Sequence, residues 1–203
     1  MIEKVNIIGS GESGVGAAVL AKIKNLEVCV YNKDKINKPF KDILNRFEIA
    51  FKEEQSIDEL IEADIIVKSP GIPDEQMIIK QLRGNGKKII SEVEFAASFT
   101  DSFIIAITGT NGKTTTTKLI GHILEKAGKD VSIAGNIGNS FAFEVATNPK
   151  SFYVVEVSSF QLDNTENFKP DIAVITDITP DHLDRYQYRL ENYVQAKMKI
   201  TQN

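Results

Sequence analysis

The 203-residue chain has one cysteine, Cys29, set inside the apolar run Val28-Cys29-Val30. A single thiol excludes a disulfide framework and a cysteine-built metal centre, and its neighbours predict a buried core thiol in keeping with a reducing cytoplasm. An excess of basic charge is also missing. The net charge is −4 with 26% charged residues, so no basic face points to nucleic acid as a partner. Long hydrophobic runs are absent too. The longest are strand-sized, and the first, residues 5–8, begins almost at the amino terminus with no basic leader before it. Neither a signal peptide nor a membrane span is expected. With 42% apolar residues, the chain has the composition of an ordinary soluble globular protein of one or two domains.

What is present centres on Ile104-Ile105-Ala106-Ile107-Thr108-Gly109-Thr110-Asn111-Gly112-Lys113-Thr114-Thr115. Apolar residues read as the end of a buried strand, Gly109 to Gly112 as a tight turn, and Lys113 onward as a helix reaching about Ala127. This is the layout of a phosphate-binding loop. Backbone N–H groups must approach phosphate oxygens closely, and the free N–H groups of the following helix present partial positive charge. Lys113 would bring a point charge to the outer phosphates and Thr114 a hydroxyl ligand for Mg²⁺. The general pattern has glycine at position 107, where this chain has Ile107. The plainer reading is a Gly-Asn-Gly turn followed by an exposed lysine, which leaves the four threonines at the helix start unexplained.

Ahead of this loop, a strand at residues 5–8 runs into Gly9-Ser10-Gly11-Glu12-Ser13-Gly14 and a small-residue helix from Val15 to about Lys24. A G-x-G-x-x-G turn between strand and helix is a nucleotide or phosphate site in its expected context. The next strand, residues 27–31, ends at Asn32, where an NAD site would place a carboxylate for the ribose hydroxyls. A different ligand is therefore expected, and the stretch Asn32-Lys33-Asp34-Lys35 also reads as a solvated turn. Helices before Phe47, near 57–61 and near 74–83 alternate with strands at 64–68 and 87–90. Ser69-Pro70-Gly71-Ile72-Pro73 fixes an extended loop at a strand's carboxyl end, making Ser69 either a ligand contact or a turn residue. Residues 91–100 read as a partly helical connector.

Beyond it, Gly135-Asn136-Ile137-Gly138 follows a strand at 131–134, and Asn136 can reach a ligand or hold the turn through its own side chain. A helix to about Ala146 leads to a strand read as Phe152 through Leu162. Glu156 stands within it. A carboxylate buried in an apolar strand needs a cation or hydrogen-bond donors, supplied by a Mg²⁺ that Thr114 holds or by a lysine. A strand at 171–176 exits into Asp177-Ile178-Thr179-Pro180-Asp181-His182-Leu183-Asp184-Arg185-Tyr186, which puts His182 on the side of the sheet that carries the phosphate loop. The closing helix, about 190–200, contains Tyr193, Lys197 and Lys199, and its lysines alone read as a solvated face.

Taken together, these residues resemble the Mur ligases, the ATP-dependent family that adds amino acids to the peptidoglycan precursor. Gly109-Thr110-Asn111-Gly112-Lys113-Thr114-Thr115 is similar to that family's own phosphate loop, which accounts for Ile107. Glu156-Val157-Ser158-Ser159-Phe160-Gln161-Leu162 and Thr179-Pro180-Asp181-His182-Leu183-Asp184-Arg185-Tyr186 are most similar to the D-glutamate-adding branch. The resemblance implies an α/β chain. Residues 1–92 would form a Rossmann-like parallel-sheet domain for the UDP substrate, and 93–203 an incomplete P-loop ATPase-like domain. It implies a cytoplasmic, monomeric ligase of UDP-N-acetylmuramoyl-L-alanine and D-glutamate that uses ATP and two Mg²⁺ ions.

By the same resemblance, Lys113, Glu156, His182 and Lys197 are the catalytic set, and residues 109–115 bind ATP. Thr114 and Glu156 hold one metal, and His182 and Lys197 serve the second. Lys197 ligates only if CO₂ carbamylates its amine to a carboxylate. Gly11, Ser13, Gly14, Asn32, Ser69, Asn136 and Ser158 are the implied UDP-substrate contacts. The family commonly has an acidic residue where Asn32 stands, and an amide can still bond uracil. The family also continues past this length with adenine contacts and a third domain, so the chain is expected to be a fragment that does not complete ligation. Two other classes compete: a non-catalytic UDP-muramoyl-peptide or nucleotide-binding module, and an NAD-binding oxidoreductase domain, against which Asn32 argues.

Overall fold

A computed structural model describes residues 2–202. The amino-terminal half lays down β1 (Lys4–Ile8), α1 (Glu12–Ile23), β2 (Glu27–Tyr31), α2 (Lys38–Arg46), β3 (Ala50–Lys52), α3 (Ile57–Leu60), β4 (Ile65–Lys68), α4 (Met77–Gly84) and β5 (Lys88–Ser91). Its strands form a wholly parallel sheet of order β3-β2-β1-β4-β5. The helix α5 (Glu92–Ala97) leads to β6 (Phe103–Thr108), α6 (Lys113–Lys126), β7 (Val131–Gly135), α7 (Phe141–Thr147), β8 (Phe152–Glu156), α8 (Ser159–Leu162) and β9 (Ile172–Ile175). These strands make a second parallel sheet, β7-β8-β6-β9. A 3-10 turn (Leu183–Tyr186), α9 (Leu190–Met198) and a last 3-10 turn (Lys199–Thr201) close the chain. Unbroken apolar runs such as Ile-Ile-Val in β4 and Ile-Ile-Ala-Ile in β6 suit this arrangement, because strands inside a parallel sheet are covered on both faces.

The two sheets share one hydrophobic core. It runs from Val5, Ile7 and Val30 through α1 and α5 to Phe141, Tyr153 and Val155. Helix α1 packs on α7 at a contact that only glycine permits: a Cβ on Gly16 would lie 1.9 Å from Oγ of Ser140, the residue that caps α7 through the Phe143 N–H.

Several boundaries differ from those read in the sequence. The strand expected through Leu162 stops at Glu156, because Ser158 opens a new helix with a full capping box, its hydroxyl accepting from Gln161 N–H while the Gln161 side chain accepts from Ser158 N–H. Helix α1 starts at Glu12, inside the glycine turn, rather than at Val15, and α4 starts at Met77 rather than Asp74. The edge strand β3 was not anticipated; three residues give too short a pattern. The connector at residues 91–100 is partly helical as read, over Glu92–Ala97, and Glu92, Val93, Glu94, Phe95 and Ala96 are all buried. Nor is α9 merely a solvated face: Tyr193, Ala196 and Lys197 lie on its buried side, with Lys197 1% exposed, and Ile200 is buried in the 3-10 turn that follows. Cys29 is only partly buried, against the second core cluster around Ile8 and Ile66.

Candidate active site

In parallel sheets, ligands gather beyond the carboxyl ends of the strands. Here the ends of β1, β2 and β4 deliver the glycine turn, Asn32 and Ser69. Those of β6, β7, β8 and β9 deliver the phosphate loop, Asn136, Ser158 and the segment leading to His182. A cleft of about 220 Å³ is lined by Pro70, Gly71, Lys113, Asn136, Ser158, His182 and Lys197, with Ser159, Phe160, Asp181 and Tyr193 completing its wall; from the amino-terminal half it takes in Pro70 and Gly71 but not the glycine turn, Asn32 or Ser69.

The phosphate loop turns at Gly109 and Gly112, with φ of +149° and +79°. Gly109 is required by close approach: a Cβ there would sit 1.9 Å from Thr176 Oγ1. Gly112 caps α6 without any side-chain bond, so the first amides of that helix are left for an incoming oxygen. Lys113 folds back over the loop, donating to the carbonyls of Gly109 (2.9 Å) and Thr110 (2.8 Å). Lys197 Nζ donates to the same Gly109 carbonyl at 2.6 Å. Its pKa is drawn down to about 8, chiefly by burial and then by the Lys113 charge, against the pull of Asp177 and Asp181.

Glu156, 1% exposed at the end of β8, has no lysine partner among the described residues. Its carboxylate is held by donors instead, with Thr114 Oγ1 donating to Oε2 at 2.7 Å and Asn136 Nδ2 to Oε1 at 2.9 Å. A buried carboxylate beside a hydroxyl at a phosphate loop is a hard-oxygen pair that suits Mg²⁺, an ion that takes few protein ligands and fills its shell with phosphate and water. His182 is more open, its side chain 56% exposed, Nε2 3.6 Å from Asp181 and its ring 5.3 Å from that of Phe160. Its backbone is left-handed (φ 49°), which turns the chain from the β9 exit into the 3-10 turn. Phe160 is in turn packed against Tyr186 at 6.0 Å and under the Arg185 guanidinium at 4.5 Å. No three His, Cys, Asp or Glu side chains converge among the described residues, so the second expected metal has no ready-made cage. Lys197 as an ammonium cannot ligate; only its carbamate would complete the donor set.

In the amino-terminal half, Gly11 caps α1 with no side-chain bond, leaving the helix head beside Ser13 and Gly14 free for an anion. Ser69 Oγ is buried, without a hydrogen-bond partner, against the glycine turn. Asn32 is partly committed: Oδ1 accepts from Ser10 N–H at 3.1 Å and Nδ2 donates to the Asp34 carbonyl at 2.8 Å, leaving one N–H and one lone pair.

Sequence reasoning passed over Asp177, whose carboxylate accepts from the Thr110 and Asn111 amides. It also passed over Glu92, buried and pushed up to about 7 by desolvation. Finding either needed the strand order, which sets β9 beside β6 and α5 against α7.

The family model of the MurD N-terminal domain matches residues 4–77, and that of the Mur ligase middle domain matches 107–203. A UDP-N-acetylmuramoylalanine--D-glutamate ligase of Bacteroides fragilis is 51% identical over 203 residues, covering 100% of this chain and 46% of the relative. The ligase of that name from Porphyromonas gingivalis is 52% identical over 198 residues, covering 97% and 44%. The chain thus spans less than half the length of the curated relatives it matches. Among solved structures, the UDP-N-acetylmuramate:L-alanyl-gamma-D-glutamyl-meso-diaminopimelate ligase of Neisseria meningitides shares the fold, with a TM-score of 0.66 at 20% identity over 98% of this chain and 68% of that one. With domain models of one family on both sheets and half-identical relatives along its whole length, the chain belongs to the Mur ligase family.

Proposed function

We propose that the chain is the substrate- and phosphate-holding part of an ATP-dependent amide ligase that joins D-glutamate to UDP-N-acetylmuramoyl-L-alanine, working as a cytoplasmic monomer. Residues 1–92 hold the UDP end and 93–203 the phosphates. In the first step the alanine carboxylate attacks the γ-phosphorus of ATP, and ADP leaves. In the second, the D-glutamate amine attacks the acyl phosphate carbonyl; inorganic phosphate leaves, the amide forms and the amine gives up a proton.

The chain's residues serve the first step. The amides of 112–115 and Lys113 neutralise the phosphates, and Lys113 leaves the Gly109 and Thr110 carbonyls to do so. Asn136 and Ser158 orient the alanine end, while Ser13, Ser69, Asn32 and the Gly11 to Gly14 backbone hold the diphosphate and uridine. Thr114 and Glu156 would hold one Mg²⁺, and His182 with carbamylated Lys197 a second. When bound, these ions supply the charge neutralisation that lets a carboxylate approach a triphosphate.

The observation that carries this reading is the single cleft in which Lys113, Asn136, Ser158, His182 and Lys197 face the Pro70-Gly71 loop. Calorimetric titration with Mg-ATP, with UDP-N-acetylmuramoyl-L-alanine and with NADH tests it. Saturable binding of the first two, without NADH, is expected; binding of NADH alone would sink the reading.

A further inference from the structure

The outer face of the phosphate loop is held by the segment that leaves β9. Thr110 N–H donates to the Asp177 main-chain carbonyl at 3.0 Å and to its Oδ1 at 3.1 Å. Asn111 N–H donates to Oδ1 at 2.6 Å, and Asn111 Nδ2 to Oδ2 at 3.2 Å. Thr179 Oγ1 adds a longer contact to Oδ2 at 3.4 Å, and Thr176 Oγ1 donates to the Asn111 carbonyl at 2.5 Å. Thr110 Oγ1 also donates to the Thr179 carbonyl at 2.9 Å and accepts from the Thr179 N–H at 3.0 Å, so two consecutive loop amides, two loop side chains and one loop carbonyl are fixed from a single neighbouring strand end.

We propose that Asp177 is the positioning residue of the phosphate loop: its carboxylate clamps the Thr110 and Asn111 amides and keeps the loop in its phosphate-receiving shape before nucleotide arrives. The Thr176 hydroxyl and the Asp177 backbone lie close against Gly109, so this segment backs the loop. The same loop is tied on its far side to α9, through Thr110 Oγ1 to Tyr193 Oη (3.1 Å) and through Gly109 O to Lys197 Nζ. A clamp on residues 110 and 111 therefore also sets where Tyr193 and Lys197 meet the loop. A carboxylate next to an anion site repels the anion, yet here Lys113 and Lys197 both reach the Gly109 carbonyl and offset it. The loop amides hold the Asp177 carboxyl below its ordinary pKa, Asn111 N–H foremost, so it stays an acceptor.

The inference rests on the nucleotide reading for its consequence, but not for the clamp itself, and two measurements on the 203-residue chain separate them. Amide hydrogen exchange at Thr110 and Asn111 in nucleotide-free protein reads the clamp; calorimetry with Mg-ATP reads its effect. In Asp177→Ala, exchange at Asn111 rises and Mg-ATP affinity falls, each by about tenfold or more, the loss expected for hydrogen bonds to a charged acceptor, while Thr110, which keeps the Asp177 main-chain carbonyl, rises less. Asp177→Asn keeps the Oδ1 acceptor and stays within about threefold of the parent in both. Unchanged exchange in Asp177→Ala would overturn the proposal, as would tighter Mg-ATP binding by either variant, which would mark Asp177 as an anion stand-in. If the parent binds no Mg-ATP, the nucleotide reading fails, and faster exchange in Asp177→Ala still upholds the clamp. Should Asp177→Ala not fold, Asp177→Asn alone decides, since affinity tightened beyond threefold contradicts it and parent-like exchange and affinity support it.

Discussion

Lys113 and Lys197 donate to one acceptor, the Gly109 carbonyl, at 2.9 and 2.6 Å. Two ammonium groups on a single oxygen, one of them buried, make the charged form of Lys197 costly. Its pKa of about 8 lies below the ordinary 10.5, so the folded state binds fewer protons than the unfolded chain between those values. The contribution of Lys197 to stability therefore rises with pH from about 8 towards 10.5. Only the neutral amine reacts with CO₂, so a carbamate should form on Lys197 and increase as pH is raised from 7 to 9. Carbon-13 NMR of the chain in labelled bicarbonate should show a carbamate resonance that Lys197→Arg lacks. A resonance that persists in this variant would assign the modification elsewhere.

Glu92 presents the opposite sign. Its carboxyl is 1% exposed, with one oxygen taken by the Ala142 N–H and the other unpartnered, and burial raises it from 4.5 to about 7. Between those values the folded state binds more protons, so stability falls as pH rises from 4.5 through 7, by on the order of 3 kcal/mol. Glu92→Gln keeps an acceptor for Ala142 and removes the titration. Urea unfolding at pH 5 and pH 8 should show a smaller pH difference in the variant and greater stability than the parent at pH 8.

Gly16 and Ser140 set the spacing of α1 and α7. Because a Cβ on Gly16 meets Ser140 Oγ at 1.9 Å, Gly16→Ala must part the helices or displace the α7 cap, at a cost of about 1–3 kcal/mol. Removing the hydroxyl in Ser140→Ala costs roughly 1 kcal/mol as a lost cap. The double variant should lose less than the sum of the two single losses, which denaturant unfolding of all four proteins can read.

Glu156 separates metal-dependent from metal-independent nucleotide binding. In Glu156→Gln the Thr114 hydroxyl and the Asn136 amide keep a polar neighbour but lose the anion. Mg-ATP affinity should drop by about tenfold or more, whereas affinity for ATP without Mg²⁺, which rests on Lys113 and the helix amides, should change little. Equal losses with and without Mg²⁺ would argue against a metal at Thr114 and Glu156.

Much of this was legible in the sequence, for physical reasons. The strands β1, β2, β4 and β6 are mostly apolar and are followed at once by glycine, asparagine or serine, so both their existence and the residues at their carboxyl ends could be read. What failed shares one cause, that partners distant in sequence decide it. Glu92 and Glu94 look like linker charges, yet one receives the Ala142 N–H and the other the Glu166 and Asn167 N–H groups. Lys197 looks solvated until Gly109, 88 positions away, supplies its acceptor. The end of β8 is different, because the Ser158…Gln161 capping box was there to be read, but the apolar residues around it masked it.

The central claim is that triphosphate and the alanine end of the UDP substrate meet in one cleft between the two sheets. Proton relaxation of bound UDP-N-acetylmuramoyl-L-alanine tests it, with Mn²⁺ and a β,γ-methylene ATP analogue at the phosphate loop. The alanine methyl signal should broaden strongly and the uracil protons much less, an effect Lys113→Ala should abolish. Equal broadening of both, or none with both ligands bound, would contradict the shared cleft.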